Sequence, residues 1–298
     1  MRRLDVAIRL AAESFMYGRH RSVRRGFSSE FSDYREYVPG DEVSDIDWRV
    51  FARTDKFYTK CFEAETSMRC TLAVDVSASM AYASQPRLVS KGRYAGLVAA
   101  VFAYLLHRQR DRVGLALFDE RLRRLISAKS RKQHFFTLLE MLDAGIERPR
   151  QGDVASGLHE LARNLTKRGM VVVLSDLLTG RSSELLSAVE HLVYRGQDVL
   201  VLQVMDPAEP GMSLSAGSVV RDPEGGSQFE VDGISLTRCR EVLRSLLEGY
   251  RRRFYALGVD YALMTTDQPL DVALSAFLAS RRWQRRSGRK AAGKRIRA

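Results

Sequence analysis

TLAVDVSASM, residues 71–80, begins as a buried strand and ends in three oxygen-bearing side chains at every second position. The apolar run Leu72, Ala73 and Val74 suits the inside of a sheet covered on both faces. In an extended segment, residues two apart point the same way, so Asp75, Ser77 and Ser79 are set to present one carboxylate and two hydroxyls to a common point. That donor set suits a hard divalent cation, which prefers oxygen and keeps several waters.

Outward from this stretch the chain alternates strands and helices. Ser90 to Arg110 has helical apolar spacing, and RVGLALF and LRRLIS are two strand-like runs joined by a tight link at Asp119-Glu120. Helical patterns follow at Lys132 to Leu142 and Val154 to Thr166, then the strand MVVVLSD, a helix from Ser182 to Tyr194 and the strand DVLVLQVMD. A Gly-, Pro- and Ser-rich excursion from Pro207 to Gly226 is expected to hold a short strand pair. A helix from Ser235 to Leu257, the strand VDYALMTT and a last helix from Pro269 to Arg281 complete the pattern. This order predicts an α/β fold: a doubly wound, mainly parallel sheet with right-handed crossovers and one antiparallel edge strand.

In such a sheet ligands collect at the carboxyl ends of the strands. Asp75, Asp119 and Asp206 each follow an apolar run directly, Asp176 follows VVVLS, and Thr265-Thr266-Asp267 follows YALM. Taken singly, an aspartate after a strand is ordinary turn chemistry and a serine there caps the next helix. Taken together, with Ser175-Asp176 ending a strand that should lie beside the first, they point to a metal site.

Composition narrows the class. The 298 residues are 45% hydrophobic, enough for a sizeable core. The longest apolar runs, such as AGLVAAVFAYLLH from Ala95, fall short of the roughly 18 residues a membrane helix needs. Asp5, Arg9 and Glu13 interrupt what would be the apolar stretch of a secretory signal, so a cytoplasmic protein without a membrane span is expected. Cys61, Cys70 and Cys239 include no CxxC pair, which argues against a disulfide framework or a zinc site. The net charge is +12, but RRWQRRSGRKAAGKRIRA, residues 281–298, holds nine of the Lys and Arg residues and no acid. Nucleic-acid binding would therefore rest on this tail alone, and is not expected.

With these motifs in view the chain resembles a known family. DVSAS after the first strand, with Asp176 after a later one, looks like the metal-ion-dependent adhesion site of von Willebrand factor A domains. YREYVPGDEVSDIDWRVFARTDKFYTKCFEAE, residues 34–65, is similar to the signature preceding such a domain in bacterial domain-of-unknown-function family 58 proteins. The resemblance implies the A-domain fold and a Mg²⁺ (or Mn²⁺) held by Asp75, Ser77, Ser79 and, through water, Asp176. It also implies a MoxR-type AAA+ ATPase as partner. Family members carry Gly-Thr-Asp at the start of a helix in mid-domain, where this chain has Gly152-Asp153; Asp153 either replaces the threonine as ligand or caps the helix. Many relatives also begin with two membrane helices, a pattern absent from this sequence.

Three segments are expected: an N-terminal helix and signature region at 1–67, an A-like domain at 68–283, and a disordered basic tail at 284–298. In the signature region, Arg35, Asp41, Asp45, Asp47, Trp48 and Arg53 read as a buried arginine–aspartate network with Trp48 as its aromatic anchor. Two of its carboxylates serving as acid and base is the hydrolase alternative. His107, His134, His159 and His191 all lie in helical patterns, beside no Ser or Cys nucleophile.

The function expected is a non-enzymatic, metal-dependent protein-interaction module, an adaptor for the ATPase and an unidentified client, with a partner's acidic side chain completing the metal site. A Mg-dependent phosphoester hydrolase is the alternative from another class.

Overall fold

Two compact units divide the chain, one within residues 18–67 and one from Met68 onward. A computed structural model describes residues 33–37, 48–61, 68–146, 153–211, 218–221, 228–231 and 233–270. Asp41, Asp45, Asp47, the expected last helix beyond Leu270 and the basic tail lie outside the described residues.

In the small unit, β1 (Asp33–Glu36) pairs antiparallel with β2 (Tyr58–Cys61), and α1 (Trp48–Thr54) lies between them in sequence. Aromatic packing organises it. Phe51 of α1 stacks on Phe57 with centroids 4.4 Å apart, and Trp48 meets both rings edge-on. The buried network expected around Trp48 and Arg53 is corrected here, because Trp48 is 56% exposed and Arg53 is also exposed. A helix of seven residues has room for one apolar stripe, and the Phe51–Phe57 stack occupies it. Arg35 belongs to β1.

The larger unit follows the predicted alternation. Its elements are β3 (Arg69–Asp75), α2 (Lys91–Arg108), β4 (Arg112–Phe118), β5 (Leu122–Lys129), α3 (Lys132–Ile146), α4 (Val154–Asn164), β6 (Gly169–Ser175), α5 (Ser182–Tyr194), β7 (Gln197–Met205), the single turn α6 (Ala208–Gly211), β8 (Ser218–Arg221), β9 (Gln228–Val231), α7 (Gly233–Ala256) and β10 (Asp260–Thr265). A six-stranded sheet runs in the order β10-β7-β6-β3-β4-β5. Every neighbouring pair is parallel except β4 with β5. This is the von Willebrand factor A-like, doubly wound α/β architecture with one antiparallel edge strand.

Strand alternation sends each apolar run into two cores. Leu72, Val74, Val172, Leu174, Leu200 and Leu202 pack with α2 and α3 on one face. Ala73, Val171, Val173, Val199 and Val201 pack with α4, α5 and α7 on the other. Burying one such Leu or Val contributes about 1.5–3 kcal/mol, which is why these strands read as continuous apolar runs. At the β4–β5 edge the register shifts between Val113 and Leu115. A Cβ on Gly114 would come within 2.6 Å of the Ile126 carbonyl oxygen, so the irregularity needs glycine there.

The strand pair expected between Pro207 and Gly226 exists, but it is β8 with β9, Ser218 opposite Val231. Its second strand lies beyond Gly226, because the Pro-Glu-Gly-Gly stretch at 223–226 separates the two strands instead of ending the excursion. Among the described residues no helix is long and apolar enough to cross a membrane. The strand order reverses at β3, which has β4 on one side and β6 on the other. The loops leaving β3 and β6 therefore diverge, and the crevice between them is where this fold binds ligands.

Candidate functional site

Asp75 stands at the end of β3 in that crevice and is fully buried. Its Oδ1 accepts a hydrogen bond from the Ser77 backbone N–H at 2.8 Å. Its Oδ2 accepts from the Ser175 hydroxyl at 2.5 Å, across the β3–β6 ladder. Both donors are neutral, and among the described residues no cationic side chain pairs with this carboxylate. Burial, and next the charge of Asp176, push the Asp75 carboxyl up to about 7, against the hydrogen bonds from Ser175 and Ser77.

Beyond Ser77 the chain does not stay extended: Ala78–Ala81 form a 3-10 turn. The expected strand-like alternation through Ser79 is corrected by this turn. Ser79 still converges on Ser77, because one tight turn carries its hydroxyl back to 3.1 Å from the Ser77 hydroxyl. Both serines are buried.

Asp176 follows β6 by one residue, so the alternation that aims Ser175 at Asp75 aims Asp176 toward α2. Its Oδ2 accepts from the Lys91 ammonium at 2.8 Å and its Oδ1 from the Leu178 N–H at 3.1 Å. Lys91 is 1% exposed and also donates to Glu209 Oε1 at 2.6 Å. Burial works against the ammonium, but Asp176 and Glu209 outweigh it and hold its pKa above the ordinary lysine value. Glu209 in turn accepts the Asp206 N–H at 2.7 Å, while the Asp206 carboxylate takes the Ser84 and Ala208 N–H groups, each at 2.9 Å. Behind Asp176, the Gln203 amide donates to its carbonyl oxygen and accepts from the Tyr261 hydroxyl, both at 2.7 Å.

Lys91 and Glu209 escaped the sequence reading. A signal existed for the lysine: Lys91 is the first residue of α2, directly after its cap Ser90, and a cation there opposes the helix dipole. A tertiary partner was the physical reason to look for. Glu209 sits in a short turn in the Pro-rich excursion, where its partner was not readable.

Asp153 is the N-cap of α4, accepting from the Ala155 N–H at 3.3 Å and the Ser156 hydroxyl at 3.1 Å. The Thr179 hydroxyl, from the loop after β6, reaches it at 3.5 Å. Asp119 is neutralised locally by Arg123 at 2.6 Å. Of the histidines, His159 and His191 meet across α4 and α5 with Nδ1 atoms 3.3 Å apart. Burial, and next His191, lower the His159 pKa. His134 contacts the Val113 carbonyl oxygen at 2.9 Å. Cys70 is buried and Cys239 exposed.

The donor set decides which group suits the crevice. Among the described residues no cluster of three or more His, Cys, Asp or Glu is placed to hold a metal, so none of them forms a zinc-type site of three or four such side chains. One buried carboxylate with raised pKa, beside two touching hydroxyls, is a different kind of site. It fits Mg²⁺ or Mn²⁺, whose charge would offset that of Asp75 and whose remaining positions take water.

A family model described as "Protein of unknown function DUF58" matches residues 33–248. The uncharacterized protein Rv1480 of Mycobacterium tuberculosis is 25% identical over 286 residues, covering 95% of this chain and 89% of that protein. Its Mycobacterium bovis counterpart, Mb1516, matches to the same extent. Among solved structures, the conserved hypothetical protein BatB from Bacteroides thetaiotaomicron aligns with a TM-score of 0.47 at 18% identity, over 72% of this chain and 99% of that one. An aerotolerance-related membrane protein from Bacteroides fragilis aligns at 0.46 and 15% identity, over 72% and 98%.

Proposed function

This chain belongs to the DUF58 family, and from that premise we propose that it is a non-enzymatic, metal-dependent protein-interaction module that binds at the carboxyl edge of its sheet. Asp75, Ser77 and Ser79 would hold Mg²⁺ or Mn²⁺, with Asp176 behind them, and Asp153 serves as the cap of α4. The bound cation would supply positive charge for an acidic side chain of a partner, so that affinity depends on metal. The partner that the family resemblance implies is a MoxR-type AAA+ ATPase, with this chain as its cytoplasmic adaptor toward a protein client in maturation or assembly.

One observation carries the reading: Asp75 is a buried acid with only neutral donors on its oxygens, beside two hydroxyls in contact. An uncompensated buried carboxylate is costly, and a cation in the crevice relieves that cost. Against a hydrolase, Asp75 would be taken up by the cation and Asp176 is tied to Lys91, which leaves neither placed as a general base.

The test is calorimetric titration of Mg²⁺ and Mn²⁺ into the wild type and Asp75→Ala, followed by capture of a MoxR-type ATPase with and without chelator. Heat lost in the variant, and capture lost with chelator, are the expected results. Equal heats in both proteins would overturn the assignment of Asp75, and chelator-independent capture would overturn the metal-bridged mode.

A further inference from the structure

We infer that Lys91 reserves Asp176, and thereby decides which oxygens of the carboxyl edge a divalent cation meets. The inference rests on the metal reading above and refines it. Three elements converge on this one ammonium. Lys91 opens α2, Asp176 begins the loop after β6, and Glu209 lies in the turn after β7; the contacts are 2.8 and 2.6 Å. The side chains of Lys91 and Asp176 are 1% and 0% exposed, so neither solvent nor dissolved salt separates them.

A buried carboxylate already paired with an ammonium has little to gain from a second cation. Asp75 has no such partner among the described residues. The cation is therefore directed to Asp75 and the two hydroxyls, while Asp176 acts on it only as neighbouring charge or through water. Sites with a single carboxylate donor bind divalent ions weakly, because affinity rises with the number of charged ligands. Such a site keeps coordination positions for water, and one of these is what a partner's carboxylate would take. Lys91 is thus a positioning residue that holds the metal affinity of the free protein low.

Removing the lysine frees Asp176. Because Lys91→Met leaves the buried Asp176 and the partly buried Glu209 unpaired, Lys91→Met/Glu209→Gln is made alongside it; the glutamine retains an acceptor for the Asp206 N–H and leaves Asp176 as the only freed charge. Mn²⁺ is titrated into the full chain by calorimetry, and the waters on the bound ion are counted by water-proton relaxation, with Asp75→Ala as control. The expected result is binding about tenfold tighter or more in the folded variants, with fewer bound waters. Unchanged affinity and hydration in a folded variant would overturn the inference and leave Lys91 as a structural tie. Binding in the variants but not in the wild type would uphold it while refuting the metal-dependent function of the native chain. No binding in any of them would overturn both.

Discussion

The Ser175 hydroxyl donates to Asp75 Oδ2 at 2.5 Å, joining the ends of β3 and β6. Parallel register sets Val74 beside Leu174, so the next residues, Asp75 and Ser175, are neighbours on one side of the sheet. Ser175→Ala leaves a buried carboxylate oxygen without its donor, at a cost of about 1–3 kcal/mol. Urea unfolding of the metal-free protein should show that loss, and a Ser175→Thr variant that retains the hydroxyl should recover part of it.

Asp75→Asn separates charge from shape. At pH 8 a carboxyl with its pKa near 7 is ionised and buried, whereas asparagine is neutral and still accepts from the Ser77 N–H. Metal-free Asp75→Asn should melt no lower than the wild type at pH 8. Mg²⁺ at tenfold its Kd should stabilise the wild type by about 1.4 kcal/mol, a shift of a few degrees, and leave the variant unmoved. Thermal melting with and without Mg²⁺ checks both.

Gly157 lies where α4 crosses the end of β4, and a Cβ there would fall 2.2 Å from the Asp119 carbonyl oxygen. Helix propensity favours alanine over glycine by about 1 kcal/mol. The clash is with backbone at the end of a core strand, so it outweighs that gain. Gly157→Ala should destabilise by about 1–3 kcal/mol in denaturant unfolding, and displace the Asp153 cap at the head of the same helix.

His159 should make stability depend on pH. Burial, His191 and Arg163 disfavour its protonation, and Glu184 and Asp153 only partly oppose them, so its folded pKa lies below the ordinary 6.5. The unfolded chain then takes up the proton first. The stabilising contribution is present above about pH 6.5 and is lost as pH falls through the lower folded value. Denaturant midpoints at pH 7.5 and 5.5 should differ less for His159→Gln than for the wild type; an equal fall in both would place the effect elsewhere.

The strands and helices were legible because their periods are unambiguous. RVGLALF and MVVVLS are too short and too apolar for anything but buried strands, and they became β4 and β6 almost to the residue. The strand pair in the excursion was found but misplaced, since Pro and Gly mark turns without saying which turn. Burial of Trp48 was misjudged for a related reason: aromatic content signals packing, but only the neighbours that arrive show which ring is covered. Ser79 comes beside Ser77 through the 3-10 turn and not through the strand geometry expected of it.

By itself, then, the sequence determined the alternation of strand and helix, the two-faced burial of the sheet, and the set of acids at its carboxyl edge. Those depend on local period and on residue type. Only the tertiary structure decided how the acids differ. Asp119 meets an arginine from its own hairpin, Asp176 a lysine 85 residues away, and Asp75 a neutral hydroxyl and a backbone N–H. The charge state and the chemistry of a buried carboxylate are set by what stands within about 4 Å of it, and contacts between distant segments exist only once the crossovers have brought the strand ends together.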